Sequence, residues 1–420
     1  MSTTLNQTET DPLTSEVSVP DPHVADDKLR RSLRVYMMEM WSFIPYYVGR
    51  LCASLRSESV EATLGSVRYH LDRDYFQKVG LDTDRHLFDV GGRFRAAPLR
   101  RLFKSCEYVA NLIRLGLRLR ASNVDILHVQ FLPFLERGVP IEIWFLKWLR
   151  RRGIRIVYTV HNVTRQDAPN QGRSLFRRAY NLADALICHG EGARTELARD
   201  FGVPPEKIRV IPHGPLFEDK PGISTLEARS LLGLPPGKTL VLSLGVISQY
   251  KGIPFLLDAW KRVQQSATPG RLIIAGTGDA GVMKQIREKV EAEGLKDSVD
   301  LWLRFIPVEQ LPLLYQAADI LVYPYNAGTT SGALLTGLNY GKAIVATRLP
   351  FFQEYLEDGE SGLLVDYGDI SALASSLQAL IHRPALRSKI ASTLQRESSG
   401  TTCWEEIARK TRECYDAVLR

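Results

Sequence analysis

The stretch from Leu321 to Leu364 narrows the choice of folds more than any other part of the chain. It opens as an apolar run that stops at Pro324, a residue with no N–H to give to a neighbouring strand. A loop of small and hydroxyl residues follows, Ala327 to Gly332, and then a segment compatible with a helix. A second apolar run, Ala343 to Thr347, closes the unit. Strand, small-residue loop, helix and strand together predict a unit of a parallel sheet. Such a loop presents backbone N–H groups at a helix N-terminus, where partial positive charge favours phosphate. A phosphorylated ligand is therefore expected here.

The same alternation runs through the rest of the chain. In the first half the strand candidates are Leu33 to Met38, Val124 to Gln130, Arg155 to Val160, Ala185 to His189 and Ile208 to Ile211. Helical patterns at 46–55, 141–149 and 191–200 separate several of them. A linker rich in Pro and Gly spans about Pro215 to Ser224, and a second series follows. Its strands are Thr239 to Leu244, Arg271 to Ala275 and Val299 to Phe305, ahead of the 321–364 unit. The reading is α/β: two Rossmann-like, doubly wound parallel-sheet domains facing across a cleft. The predicted layout is a disordered tail (1–28), an N-terminal Rossmann-like domain (29–214), a hinge (215–224) and a C-terminal Rossmann-like domain (225–400). A final helix (401–420) follows.

Length and composition agree with this. A chain of 420 residues has room for two cores, and 45% apolar with 24% charged residues is a globular composition. No uncharged apolar run approaches the roughly 20 residues that span a bilayer. The five cysteines are scattered, without a CxxC pair or metal spacing, and read as reduced thiols. A cytoplasmic location follows as the expectation.

The net charge of +7 is unevenly spread: from Arg93 to Arg120 eight Lys/Arg face one acid, Glu107. Leu99, Leu102, Phe103, Cys106, Val109, Ala110, Ile113 and Leu117 recur there at helical spacing. Ile143 to Arg155 adds two tryptophans among five basic residues. A basic helix with interfacial aromatics suits an anionic membrane surface, peripheral on the inner face of the membrane; a core helix with a solvated basic face is the alternative. No motif accompanies the charge that would read nucleic acid.

The Leu321–Leu364 stretch, the Tyr250-Lys251-Gly252 turn and Thr159-Val160-His161-Asn162 together resemble the GT-B glycosyltransferases. The likeness is strongest to family 4 and to related bacterial exopolysaccharide glycosyltransferases. Gly341 to Thr347 matches the end of that family's donor-binding segment. Counting back, the family's two glutamates fall on Gly328 and Thr336, and its diphosphate-binding arginine falls on Val246. The resemblance implies metal-independent transfer of a sugar from a nucleotide diphosphate to an acceptor hydroxyl, without a cofactor. It also implies that the N-terminal domain binds the acceptor, that the C-terminal domain binds the nucleotide sugar and that the last helix returns to the first domain. A membrane contact of the basic face points to a polyprenyl-linked glycan as the acceptor. An inactive partner subunit and a nucleotide-sugar epimerase are the rival readings.

The implied donor-binding residues are Gly245, Lys251, Gly276, Gly278, Thr329, Thr330, Ser331, Gly332 and Thr336, and the implied catalytic residue is His161. Lys251 offers an ammonium to a diphosphate. His161 directly follows a strand and has a side chain able to donate, accept or shuttle a proton near neutrality. Glu39, Asp167 and Glu191 are the carboxylates expected near the same cleft.

Overall fold

The computed structural model describes residues 31–67, 71–72, 74–90, 97–164, 172–217, 220–265, 270–398 and 403–420. The expected tail, Arg93, Arg95, Asp167 and part of the hinge lie outside the described residues. Near-continuous apolar runs become strands because both faces of each sheet are covered by helices. The first sheet holds β1 (Leu33–Met38), β2 (Val60–Gly65), β3 (Ile126–Val129), β4 (Arg155–Val160), β5 (Ala185–Cys188) and β6 (Ile208–Val210). The second holds β7 (Thr239–Leu244), β8 (Gly270–Ala275), β9 (Val299–Trp302), β10 (Ile320–Tyr323), β11 (Ala343–Thr347) and β12 (Leu363–Val365). Their orders are β2-β1-β3-β4-β5-β6 and β12-β11-β10-β7-β8-β9, with parallel pairing throughout.

Successive side chains on a strand point to opposite faces, and each sheet uses both. On β1, Val35 and Met37 join one core while Tyr36 and Met38 join the other. On β10, Ile320 and Val322 face one core and Leu321 and Tyr323 the other. β2 and β12 stand out from the expected set, because neither was legible as a strand. β2 carries Glu61, Ala62 and Thr63 and lies at a sheet edge, so its pattern is only half apolar. β12 is three residues long, too short for any periodicity to register.

Strand order reverses between β1 and β3 in one sheet and between β7 and β10 in the other. In open sheets the crevice at such a reversal, beyond the carboxyl ends, is where ligands bind. Glu39 and Gln130 leave the first reversal, and Gly245 and the 324–332 loop leave the second. The helix Trp404–Leu419 lies on the helix Pro45–Leu55, with Trp404 and Tyr415 in the core beneath the first sheet.

Candidate active site

β4, β5 and β6 are neighbours, and each runs into a histidine at its carboxyl end: His161, His189 and, three residues on, His213. Adjacent strands lie about 4.8 Å apart. The rings accordingly sit 5.0 Å (His161 to His189) and 5.1 Å (His189 to His213) apart. Tyr47 packs against all three, at 4.8, 5.4 and 4.7 Å between centroids. In the sequence His189 is only the end of a strand candidate, and His213 falls between the last strand candidate of the first half and the linker. That three strand ends abut could not be seen until their order in the sheet was known.

His189 Nδ1–H donates to the Ile211 carbonyl (3.0 Å). Its Nε2 lies 3.1 Å from His161 Nδ1, and His161 Nε2 lies 3.0 Å from the Gln130 carboxamide. Burial lowers all three histidines: His189 falls to about 4, His213 to about 3, and His161 well below its ordinary value, helped by its neighbouring imidazoles. The expected acid–base role of His161 therefore has no free ring nitrogen to act through. Its main-chain carbonyl, by contrast, faces the second sheet. Among the described residues no group of three or more His, Cys, Asp or Glu side chains is arranged to hold a metal.

On the other side of the cleft, Lys251 is drawn down between two tyrosines, with Nζ 3.7 Å from the Tyr325 ring centroid and 4.9 Å from that of Tyr250. Burial lowers the pKa of its ammonium, and among the described residues no carboxylate pairs with it. Tyr325, which the sequence reading passed over, also lies 3.4 Å from the Ser331 hydroxyl. Ser331 caps the helix Gly332–Leu338 by accepting from Leu334 N–H (3.2 Å). Gly276 and Gly278 serve backbone contact: a β-carbon would lie 1.8 Å from the Gly245 carbonyl and 2.0 Å from that of Ile247. These glycines let the 245–247 and 276–278 loops touch.

The halves meet at the expected loop. Thr329 Oγ1 donates to the His161 carbonyl (3.2 Å) and lies 3.5 Å from Asn162 Oδ1. Thr330 and Gly332 are half-buried beside it. Thr336 is placed differently from expectation. It is fully buried, donates to the Gly332 carbonyl (2.7 Å) and accepts from Leu216 N–H (2.9 Å). Its hydroxyl ties the donor-loop helix to the chain between the halves and does not face the cleft.

Two family models match this chain, "Glycosyltransferase Family 4" over residues 46–214 and "Glycosyl transferases group 1" over residues 225–396. The chain is a GT-B glycosyltransferase. A D-inositol 3-phosphate glycosyltransferase of Acidothermus cellulolyticus is 28% identical over 323 residues, covering 70% of this chain and 69% of the relative. An alpha-monoglucosyldiacylglycerol synthase of Streptococcus pneumoniae is 28% identical over 311 residues, covering 71% and 67%. Among solved structures, Anabaena Alr3699/HepE in complex with UDP and glucose superposes with a TM-score of 0.70 at 17% identity, covering 92% of this chain and all of that one.

The glycosyltransferase's remaining candidate carboxylates differ in setting. Glu39 is fully buried and accepts from Phe43 N–H (2.6 Å); burial outweighs that bond and raises its carboxyl to about 8. Glu191 is exposed at the start of the helix Glu191–Phe201, 3.4 Å from Arg194. The basic helix Ala97–Ala121 shows two apolar faces. Tyr108, Leu112, Leu115 and Leu119 enter the core, while Ile113 and Leu117 remain about 60% exposed. With Trp144 and Trp148 of the neighbouring helix they line a surface groove of about 300 Å³. No described helix is long and apolar enough to cross a membrane.

Proposed function

We propose that this glycosyltransferase takes its sugar from a nucleotide diphosphate donor held between the 324–332 loop and Lys251, without a divalent ion. The acceptor hydroxyl enters from the first sheet, beside His161 and Asn162. The observation that carries this reading is Lys251: its ammonium lies between two tyrosine rings, 3.7 Å from that of Tyr325, and among the described residues no carboxylate pairs with it. A ligand diphosphate supplies the missing anion, and charge-assisted hydrogen bonds are the strong ones. Stabilising the leaving diphosphate lowers the barrier to transfer.

The family's second glutamate is replaced by a buried threonine and its arginine by Val246, which is 64% exposed. The donor is therefore held by fewer charged groups, and main-chain amides of the Gly/Thr/Ser loop carry more of the recognition. His161 stays neutral, its ring nitrogens bonded to Gln130 and His189, and lines the cleft with its ring and its main-chain carbonyl. The exposed groove, flanked by Arg114, Lys147 and the Arg150–Arg152 run, meets an anionic bilayer on the cytoplasmic side. That placement suits a lipid-linked glycan acceptor in exopolysaccharide or glycolipid assembly.

A thermal-shift and turnover screen against UDP-, GDP-, ADP- and dTDP-sugars, with Lys251→Ala alongside, tests the donor site. One donor family stabilises the wild type, and the shift shrinks in Lys251→Ala. No stabilisation by any of the four overturns the reading.

A further inference from the structure

The histidines at the strand ends belong to a longer chain of side chains whose hydrogen-bond directions can be worked out. Tyr415, on the C-terminal helix, places its hydroxyl 2.6 Å from His128 Nδ1. His128 Nε2 lies 3.0 Å from the Gln130 carboxamide and 2.7 Å from the Thr159 hydroxyl. Gln130 reaches His161, His161 reaches His189, and His189 ends on the Ile211 carbonyl.

The Ile211 carbonyl fixes the far end, because it can only accept. His189 therefore carries its proton on Nδ1, and a neutral His189 offers a lone pair at Nε2. His161 must donate to it from Nδ1, which leaves His161 Nε2 as an acceptor. As placed, Gln130 turns its oxygen to that nitrogen, setting acceptor against acceptor unless His161 or His189 is an imidazolium. The oxygen and nitrogen of a carboxamide share one shape, and the network decides between them. With the amide turned, every link of this chain has one donor and one acceptor and no ring is charged, at the loss of the Gln130 N–H contact to Met37 Sδ (3.0 Å). Tyr415 O–H then gives to His128 Nδ1, and His128 Nε2–H to Gln130 Oε1, shared with Thr159. Gln130 N–H gives to His161 Nε2, and His161 Nδ1–H to His189. Burial favours this uncharged solution, since a buried ring sheds its proton more readily.

We propose that Gln130 is the positioning residue of His161: its carboxamide nitrogen donates to Nε2 and holds a neutral Nδ1–H imidazole at the cleft. This rests on His161 lying at the reacting site, as proposed above. The sequence signal is slight, one Gln directly after β3, but β3 is the strand beside β4 that starts the reversal.

Histidine 15N spectra of the full chain without substrate test it, with His161 assigned by comparison with His161→Gln. In the wild type near pH 7 His161 is expected to show a protonated Nδ1 and a bare Nε2. In Gln130→Glu the carboxylate can only accept, so both nitrogens become protonated and an ionisation of His161 enters the pH profile of kcat/KM. A wild-type His161 with a protonated Nε2, alone or as imidazolium, overturns the proposal. That spectrum needs no turnover, so it stands apart from the donor screen.

Discussion

The Glu354 carboxylate closes against the main chain of Gly190 across the cleft: a β-carbon on Gly190 would lie 2.6 Å from Oε2 and 2.9 Å from Oε1. Glu354 follows the helix Pro350–Gln353 of the second half, and Gly190 opens the helix Glu191–Phe201 of the first. A carboxylate at a helix N-terminus is favoured by the exposed N–H groups, by about 0.3–1 kcal/mol. Burial still raises the Glu354 carboxyl, against the bond from Gly192 N–H. Glu354→Gln should loosen the closed arrangement and raise the donor KM by about two- to fivefold at a nearly unchanged melting temperature. Gly190→Ala should act in the same direction by pushing the carboxylate away. Steady-state kinetics with small-angle scattering would read both effects, and unchanged values in both variants would remove Glu354 from closure.

Lys251→Met keeps the packing over Tyr325 and removes the charge. Hydrogen bonds to charged groups contribute about 1.5–3 kcal/mol, so nucleoside diphosphate affinity should fall by roughly ten- to a hundredfold. Calorimetric titration with the diphosphate alone measures this without turnover. Equal affinity for the two proteins would place the diphosphate elsewhere.

Thr336 invites the idea of restoring the family's glutamate, and its surroundings argue against it. The side chain is fully buried and both its hydrogen-bond roles are taken by Leu216 and Gly332. Thr336→Val leaves the Leu216 N–H unpaired and should cost about 1–3 kcal/mol of stability while the folded protein binds donor as before. Thr336→Glu should destabilise further, because it buries a carboxylate without a partner. Denaturant unfolding and nucleotide titration separate the two quantities, and a Glu variant that is stable and binds more tightly would contradict this placement.

The parallel sheets were readable because doubly covered strands are written as apolar runs, and Leu240, Leu242, Ile273 and Val345 announce theirs plainly. β2 was not, since Glu61 and Thr63 interrupt its apolar pattern, and β12, three residues long, was not either. Lys251, Thr329 and His161 were singled out through strand ends and a family likeness. Gln130, His189 and Tyr325 were not, because their importance arises from which strand ends become neighbours. Thr336 shows the limit of copying a position: the alignment names the place but not the direction of the side chain. The apolar residues of the Ala97–Ala121 helix likewise looked like one stripe, although Ile113 and Leu117 face away from the core that Leu112 and Leu115 enter.

Stability should fall on the acid side. The folded pKa values of His128 and His213 are lowered by burial to about 3, and that of His189 to about 4, from 6.5. Below pH 6.5 the unfolded chain takes up protons that the folded chain refuses until about pH 4. Unfolding is then favoured as pH drops, by up to about 1.4 kcal/mol per pH unit for each histidine. Glu39 and Glu142 act oppositely: burial raises them to about 8 and about 7, so the stability tied to their protonated forms is lost as pH rises from 4.5. Urea unfolding of the wild type and His128→Gln between pH 4.5 and 6.5 isolates the histidine part, and the variant should show the shallower slope. Identical slopes would mean that His128 is not held neutral.

The outer face of the Ala97–Ala121 helix yields the last prediction. Ile113, Leu117 and Trp144 are each about 60% exposed, beside Arg114, Lys147 and Arg150. Burying an apolar side chain of this size stabilises by about 1.5–3 kcal/mol, and each basic residue adds about 1 kcal/mol near an anionic surface. The protein should therefore cosediment with phosphatidylglycerol vesicles, and less with phosphatidylcholine ones. Ile113→Ser with Trp144→Ala should weaken this by roughly tenfold or more, without altering the donor-induced thermal shift. Added salt should weaken the attraction too, because surface charges are screened over about 8 Å at 0.15 M. Binding that ignores both lipid charge and the double substitution would assign this face to another partner.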